Sequence, residues 1–97
     1  MKPIKNNELK VAIIGAGGKM GCRITDNLVK EEYRLFFCEQ AESGISRLNE
    51  RGLTPTSTEA AVPLADIVIL AVPDVLIGKI SKEIAPLLKP DATLILL

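Results

Sequence analysis

The sequence has no histidine and no tryptophan, and its only aromatic residues are Tyr33, Phe36 and Phe37. Without histidine, the chain lacks the commonest general base and metal ligand, so proton chemistry in this segment would need Asp, Glu or Lys. We therefore predict no metal site, and the residues present identify no catalytic group. With so few aromatic residues, the core must consist of Ile, Leu, Val and Ala, which helix-covered parallel sheets use.

The sequence also lacks an excess of charge, because its 12 basic side chains balance its 12 acidic ones. A basic surface that binds nucleic acid or an anionic membrane is therefore not expected. No apolar run approaches the roughly 20 residues that span a bilayer, and residues 1–8 lack the apolar core of a signal peptide. We expect a cytoplasmic protein with neither a nucleic-acid partner nor a membrane partner.

Cysteine is scarce as well, because Cys22 and Cys38 are the only two in the chain. Their separation does not match the CxxC spacing of a redox or zinc site, and two cysteines are too few for a disulfide scaffold. We expect both to be reduced thiols, with Cys38 packing inside a buried strand.

The residues that are present alternate between strand and helix patterns over 97 residues, a length that suffices for one domain. Short apolar or β-prone runs predict strands, and apolar residues three or four apart predict helices. The predicted strands are 10–14, 34–39, 53–55, 67–72 and 92–97. Between them we predict four helices. The first has Met20, Ile24 and Leu28 inward, and the second covers 41–50 and is ended by Gly52. A short third helix follows a capping box at 56–59, and the fourth begins at Asp74 and is disturbed and ended by Pro86 and Pro90.

Strands that alternate with helices predict an α/β fold with a doubly wound parallel sheet, because consecutive parallel strands need a crossover between them. The expected order of the five predicted strands is 3-2-1-4-5, with the proline-containing third strand at the edge. We expect residues 1–9 to form a loose tail. A bare apolar strand at 94–97 favours the N-terminal part of a longer protein, with a substrate domain after Leu97.

A glycine-rich loop, residues 15–21 with the sequence GAGGKMG, follows the first predicted strand and precedes the first helix. A Rossmann dinucleotide fingerprint needs one glycine for a tight turn, a second where backbone approaches the pyrophosphate, and a third where the helix packs on the strand. Gly15, then Gly17 or Gly18, and then Gly21 fill these places. The spacing is GxxGxxG or GxGxxxG instead of GxGxxG, so a purely structural glycine turn is the alternative.

The start of the first helix is predicted to hold the phosphates. The amides of Gly18, Lys19 and Met20 are the expected donors, because a helix N-terminus leaves its first amides unpaired and its dipole favours negative charge. The Lys19 ammonium could also neutralise phosphate, although a solvated surface lysine at a helix start is the alternative.

Glu39 closes the second predicted strand, 24 residues after Gly15. The fingerprint expects an acid at this place, where it accepts hydrogen bonds from the adenosine ribose hydroxyls. A 2'-phosphate would meet this carboxylate, and no arginine follows immediately. The sequence therefore predicts NAD in preference to NADP, with a solvated acid at a strand end as the alternative.

Val72, Pro73 and Asp74 follow the most apolar run of the chain. They fall at the carboxyl edge of the predicted sheet, where open parallel sheets bind ligands beside the topological switch point. We expect their backbone to border the ribose and nicotinamide of NAD. Asp74 could equally be the N-cap of the helix that follows.

With GAGGKMG at 15–21, ADIVILAVPD at 65–74 and LKPDATLI at 88–95, the chain resembles the 6-phosphogluconate and 3-hydroxyacid dehydrogenase superfamily over nearly its whole length. Within it, the chain resembles the phosphogluconate-dehydrogenase-like group that includes D-apionate oxidoisomerase. The resemblance implies a Rossmann domain that binds NAD at 15–21, 39 and 72–74 and serves the oxidation of a sugar-acid or hydroxy-acid hydroxyl. It also implies catalytic groups beyond Leu97, and we expect a homodimer of the full-length protein.

Other functions fit the same residues. The glycine loop is also similar to that of dihydrodipicolinate reductase, although the Ala-Val-Pro-Asp turn fits the hydroxyacid group better. Rossmann domains serve as nucleotide-sensing regulators without catalysis as well as in enzymes, so the fold alone does not decide between them. A site for a nucleotide sugar or S-adenosylmethionine is the third possibility, and it predicts no preference for a nicotinamide ring.

Overall fold

The computed structural model describes residues 9–31 and 33–96, and in them four parallel strands form one sheet in the order β2-β1-β3-β4. The strands are β1 (Lys10–Ile14), β2 (Arg34–Cys38), β3 (Ile67–Leu70) and β4 (Thr93–Leu96). The helices are α1 (Lys19–Leu28), α2 (Glu42–Glu50), α3 (Thr58–Ala61) and α4 (Asp74–Ile84), and 3₁₀ turns at Val62–Leu64 and Ala85–Leu87 follow α3 and α4. The predicted α/β fold with a parallel sheet is confirmed.

The strand order agrees with the prediction except at the predicted third strand, 53–55. In its place the structure has a single parallel bridge between Pro55 and Phe37, beside which the Thr56 amide donates to the Phe37 carbonyl at 2.8 Å. Thr56 is the residue that donates to β2, so the N–H position of Pro55 points away from the sheet, and the edge tolerates a proline there. Among the described residues, the short third strand predicted over 53–55 is thus reduced to this bridge, which lies at the predicted edge beside β2.

The sheet lies between two helical layers, because successive strand residues point to opposite faces. Ile13 belongs to the face that packs on α1 and α2, where Leu48 is fully buried. Leu70 belongs to the opposite face, which packs on Val62 behind α3 and on Ile84 at the end of α4. Leu48 of α2 and Ile84 of α4 thus bury opposite faces of the sheet.

The starts of α3 and α4 differ from the predicted caps. Ser57 caps α3, because its Oγ accepts from the Ala60 amide at 3.2 Å, so the cap lies one residue later than a capping box that begins at Thr56. Pro73 is the N-cap of α4, and Asp74 is the first helical residue without a side-chain cap hydrogen bond. Asp74 is therefore not the N-cap, which was the alternative to a ligand contact, and its carboxylate adds negative charge beside the positive end of the helix dipole.

The two ends of the described chain contact the sheet differently. Leu9 was predicted to lie in a loose tail, but its carbonyl accepts from the Arg34 amide at 2.9 Å and its side chain packs against the core. The rest of the predicted tail, residues 1–8, lies outside the described residues. At the other end, β4 is the outer strand and all four of its residues are exposed, as the bare apolar pattern indicates. In the described part of the chain, no helix has the length and apolarity needed to cross a membrane.

Asp66 joins three segments at the amino ends of the strands. Its carboxylate accepts from the Lys10 amide at 2.9 Å and from the Lys89 ammonium, and its own carbonyl accepts from the Thr93 amide at 2.9 Å. The hydrogen bond from Lys89, together with that from Lys10, lowers the pKa of Asp66 below its usual value. The ionised carboxylate therefore stabilises the start of β3 between β1 and β4.

The replacement Asp66→Asn should lower stability by about 1 kcal/mol at pH 7, because it removes the charge from this partly exposed network. A carboxyl whose pKa is lowered by folding stabilises the fold above its unfolded-state pKa, and this contribution is lost as the pH falls through the folded-state value. The gap between the unfolding free energies of wild type and variant should thus begin to narrow below about pH 4 and close as the pH falls through the lowered folded-state pKa. Urea unfolding at pH 7 and pH 3 measures it. An equal gap at both pH values would contradict the role of ionisation. The control is Asp26→Asn, which removes a charge from an exposed pair with Arg51 and should lower stability less at pH 7.

Candidate functional site

The carboxyl ends of β1, β2 and β3 meet at one edge of the sheet, because the parallel register pairs Ile14 with both Cys38 and Leu70. The chain moves from β1 to β2 on one side and returns to β3 on the other, so β1 and β3 flank the topological switch point. The segments that follow these strands, together with α4, enclose a groove of about 540 Å³. We refer to it as the sheet-edge groove.

Gly15 forms the tight turn at the end of β1. Its φ of +82° is in the left-handed region that glycine adopts readily. Its amide donates to the Cys38 carbonyl at 2.8 Å, and a Cβ on Gly15 would lie 2.5 Å from the Ala71 carbonyl oxygen. The first glycine of the fingerprint therefore has both a conformation and a close contact that a side chain would disturb.

Gly21 brings α1 against that turn. A Cβ at this position would lie 1.9 Å from the Gly15 carbonyl oxygen and 2.8 Å from backbone atoms of Ala16. One turn further along α1, the buried Thr25 hydroxyl donates to the Ala16 carbonyl at 3.5 Å. Gly21 thus fills the third place of the fingerprint, where helix and strand pack closely, and it does not line the sheet-edge groove.

Gly17 and Gly18, which the sequence could not separate, have different surroundings. Gly17 is buried against α2, where an added Cβ would lie 2.1 Å from the Gly44 carbonyl oxygen. Gly18 lines the sheet-edge groove, and a Cβ there would meet only the Gly15 carbonyl oxygen, at 3.4 Å. Of the two, Gly18 has the open position that a close approach of pyrophosphate requires.

The amides at the start of α1 differ in whether they already have a hydrogen-bond acceptor. The Gly18 amide donates to the Gly15 carbonyl at 3.0 Å, so this predicted phosphate donor is already hydrogen-bonded within the turn. Among the described residues, the amides of Lys19 and Met20 have no acceptor, and Gly18 provides no capping side chain. Two unpaired amides at a helix N-terminus beside an open glycine fit a phosphate group.

The side chains of Lys19 and Met20 do not point into the sheet-edge groove. Both line a separate shallow depression together with Arg23 and Arg51. Met20 was predicted to face the core, but it is 46% exposed, because the buried face of α1 follows Gly21 and Thr25 instead. Any contribution of Lys19 and Met20 to the groove therefore comes from their backbone.

Glu39 lies at the end of β2 with its carboxylate turned toward the glycine loop. One oxygen, Oε1, accepts from the Gly17 amide at 3.0 Å. The other, Oε2, accepts from the amides of Gln40 at 3.0 Å and Ala41 at 3.3 Å. Three backbone donors thus hold this carboxylate in the wall of the sheet-edge groove, at the place where the fingerprint expects an acid.

The turn after β3 forms the wall opposite Glu39. Val72 and Pro73 line the sheet-edge groove, and the Ala71 amide donates to the Ile14 carbonyl at 2.9 Å, which ties this turn to the end of β1. Asp74 is exposed and does not line the groove. Of the three residues predicted here, two are therefore in place to border a ligand, and Asp74 is not.

Two residues of α2 that the sequence analysis did not select also belong to the site. Gly44 and Arg47 line the sheet-edge groove, and the Arg47 Nη1 donates to the Gly17 carbonyl at 2.9 Å. Glycine in a helix interior costs up to about 1 kcal/mol relative to alanine, so Gly44 is a signal of close backbone approach that the sequence does contain. Arg47 carries no comparable signal, because only the helix brings it back to the loop.

Cys38 lines the groove but has almost no exposure, at 1%. Burial raises the pKa of this thiol to about 11, against a smaller lowering effect of a hydrogen bond with Thr58. The neutral form therefore predominates at neutral pH, and Cys38 packs rather than reacts. Cys22 is buried as well, and neither cysteine forms a disulfide. Within residues 9–31 and 33–96, no three His, Cys, Asp or Glu side chains converge to hold a metal ion.

Comparison with known proteins agrees with this geometry. Residues 5–96 match the family model described as acetohydroxy acid isomeroreductase, NADPH-binding domain. The chain is 55% identical over 82 residues to a D-apionate oxidoisomerase of Cupriavidus necator. This match covers 84% of this chain and 30% of that protein. It is 47% identical over 92 residues to a D-apionate oxidoisomerase of Blautia hydrogenotrophica, covering 93% and 32%.

A solved structure shows the same similarity in three dimensions. It is a semialdehyde dehydrogenase NAD-binding protein of Cupriavidus necator in complex with calcium and NAD, with a TM-score of 0.87 and 51% identity. The match covers 92% of this chain and 33% of that one. The chain thus spans about a third of the length of the curated relatives it matches. The predicted resemblance to the oxidoisomerase group and the predicted Rossmann fold are confirmed.

Proposed function

This chain belongs to the acetohydroxy acid isomeroreductase NADPH-binding domain family, and we propose that it supplies the dinucleotide-binding part of an oxidoreductase but binds NAD in preference to the NADPH of the family description. The proposed substrate class is a sugar acid or hydroxy acid with an oxidisable hydroxyl. The observation that carries the choice of NAD is the Glu39 carboxylate, which three backbone amides hold at the end of β2.

The Glu39 carboxylate discriminates between the two dinucleotides by charge and by hydrogen bonding. Each carboxylate oxygen has two acceptor sites, and Oε2 already accepts from two amides, whereas Oε1 accepts from one. Oε1 can therefore also accept from a hydroxyl of the adenosine ribose while it remains bonded to the Gly17 amide. A 2'-phosphate in the same place would bring two negative charges together at a partly desolvated site.

The rest of the sheet-edge groove suits the other parts of the dinucleotide. The open position of Gly18 and the amides of Lys19 and Met20 would hold the pyrophosphate, and the turn at Val72 and Pro73 would border the nicotinamide ribose. Bound NAD would supply the hydride acceptor for alcohol oxidation. Since the chain corresponds to about a third of its curated relatives, we propose that the acid–base group and the substrate contacts lie in a further domain.

Calorimetric titration of the purified protein tests this function, because the chain has no tryptophan for fluorescence quenching. NADH should bind at least about tenfold more tightly than NADPH, and S-adenosylmethionine should not bind. The replacement Glu39→Gln keeps the size of the side chain but removes its charge. It should reduce the ratio of the affinities for NADH and NADPH about tenfold, which corresponds to 1.4 kcal/mol.

The matched control is Glu42→Gln, because Glu42 is an exposed acid of the first turn of α2 outside the groove. This variant should keep the wild-type ratio of affinities. Tighter binding of NADPH than NADH by the wild type, or an unchanged ratio in Glu39→Gln, would refute the role assigned to Glu39.

A further inference from the structure

We infer that Gly44 is a positioning residue for cofactor choice, because the absence of a side chain there allows the Glu39 carboxylate to lie against the glycine loop. The inference rests on the proposed NAD site and adds a residue that the dinucleotide fingerprint does not contain. Gly44 acts through Glu39 and is not itself expected to contact the dinucleotide.

The space beside Gly44 is occupied by Glu39. A Cβ built on Gly44 would lie 2.2 Å from Oε1, 2.3 Å from Cδ and 2.6 Å from Cγ of Glu39. No real Cβ is found at such distances, so any larger residue at position 44 would displace the carboxylate from its present place. The conformation in which Glu39 accepts from the Gly17 amide therefore requires glycine at position 44.

The same helix turn also holds the other side of the glycine loop. Gly17 approaches Gly44 so closely that a Cβ on Gly17 would lie 2.1 Å from the Gly44 carbonyl oxygen and 2.5 Å from its Cα. Three residues later in α2, Arg47 donates to the Gly17 carbonyl at 2.9 Å. The peptide groups around Gly17 are thus bonded on both sides, by the Glu39 carboxylate at the amide and by Arg47 at the carbonyl.

The two glycines differ in what a substitution would meet. At Gly17 the added atom would meet backbone of α2, which cannot move without shifting the helix. At Gly44 its three nearest neighbours would all be atoms of the Glu39 side chain, whose end can rotate into the groove or toward solvent. Gly44→Ala is therefore a mild change for the fold and a specific one for the position of the Glu39 carboxylate.

The test compares Gly44→Ala, Glu39→Gln and the double variant by calorimetric titration with NADH and NADPH. Gly44→Ala should lower the affinity for NADH about tenfold, because a hydrogen-bonded charged acceptor is lost from its place. The affinity for NADPH should stay the same or increase. In the Glu39→Gln background, the same alanine should change the ratio of affinities less than about twofold, as a double-mutant cycle requires of a residue that acts through its partner.

The matched control is Gly78→Ala, since Gly78 is a helix-interior glycine of α4 with nothing within 4 Å of its Cβ position. It should leave the ratio of affinities unaltered. Circular dichroism should show that Gly44→Ala keeps the wild-type fold, and loss of the fold would overturn the inference.

The possible failures are distinguishable. Wild-type protein that binds neither dinucleotide, or prefers NADPH, would refute the proposed function and the inference with it. A wild type that prefers NADH, together with an unchanged ratio in Gly44→Ala, would overturn the inference alone. An equally large effect of the alanine in the Glu39→Gln background would overturn it too, because Gly44 would then act independently of the carboxylate.

Discussion

Valine in place of Gly18 should remove dinucleotide binding while the domain stays folded. Gly18 has φ −74° and ψ 177°, an extended conformation that β-branched residues adopt readily. Only the Gly15 carbonyl oxygen lies near its Cβ position, at 3.4 Å, and the remaining space is the sheet-edge groove. The isopropyl group would therefore occupy the space in which the pyrophosphate approaches the start of α1.

We expect the affinity for NADH to fall at least about a hundredfold, which corresponds to about 2.8 kcal/mol. Valine is a poorer N-cap than glycine, so the free energy of unfolding should decrease by no more than about 1 kcal/mol. Calorimetric titration gives the first quantity and urea unfolding gives the second. Gly78→Val, on the exposed side of α4, is the control for the size and branching of the new side chain. Near-normal NADH affinity in Gly18→Val would show that the phosphates bind elsewhere.

Alanine in place of Gly21 should have the opposite effect, with a large loss of stability. All three neighbours of the added Cβ are backbone atoms, namely the Gly15 carbonyl oxygen at 1.9 Å and two atoms of Ala16 at 2.8 Å. No rotation of a side chain can relieve these contacts, so α1 must move away from the end of β1. Overpacking of this kind costs about 3 kcal/mol or more, a large part of the stability of a small domain.

Urea unfolding followed by circular dichroism measures the loss. In an open helix position, glycine to alanine is stabilising by about 0.5 to 1 kcal/mol, and the control Gly78→Ala should show this gain because its Cβ position is free. The two variants exchange the same residue types in helices of the same protein. If Gly21→Ala proved as stable as the control, the close packing of α1 on the β1 turn would be wrong.

The repeating pattern of apolar residues was sufficient to predict most of the fold. Buried runs such as 10–14 and 67–70 identify strands, and the spacing of Ile77, Ile80 and Ile84 identifies α4. The alternation of these elements then leaves few topologies, since crossovers between parallel strands are short and right-handed. The residues at which the shorter elements begin and end were harder to predict. The short strand predicted at 53–55 is a single bridge, and Pro73 instead of Asp74 is the N-cap of α4.

The site was predictable as a location and less so as a set of contacts. The fingerprint placed Gly15, Gly21 and Glu39 correctly in relation to the strands, because each is local to the end of a strand. It could not separate Gly17 from Gly18, since that choice depends on which of them faces α2. It also missed Arg47, which lies eight residues beyond Glu39 and returns to the loop only because α2 packs beside it.

The sequence by itself determined the class of fold, and it located the edge of the sheet at which we propose that NAD binds and the acid that we propose favours it. These properties follow from periodicity and from residues adjacent to strand ends, which are short-range features of the chain. Only the tertiary structure decided which amides remain free, which glycine is open to the groove, and which residues hold Glu39 in place. These depend on contacts between α1, α2 and the β1 turn at distances of a few ångströms, and the spacing of residues along a chain does not specify such distances.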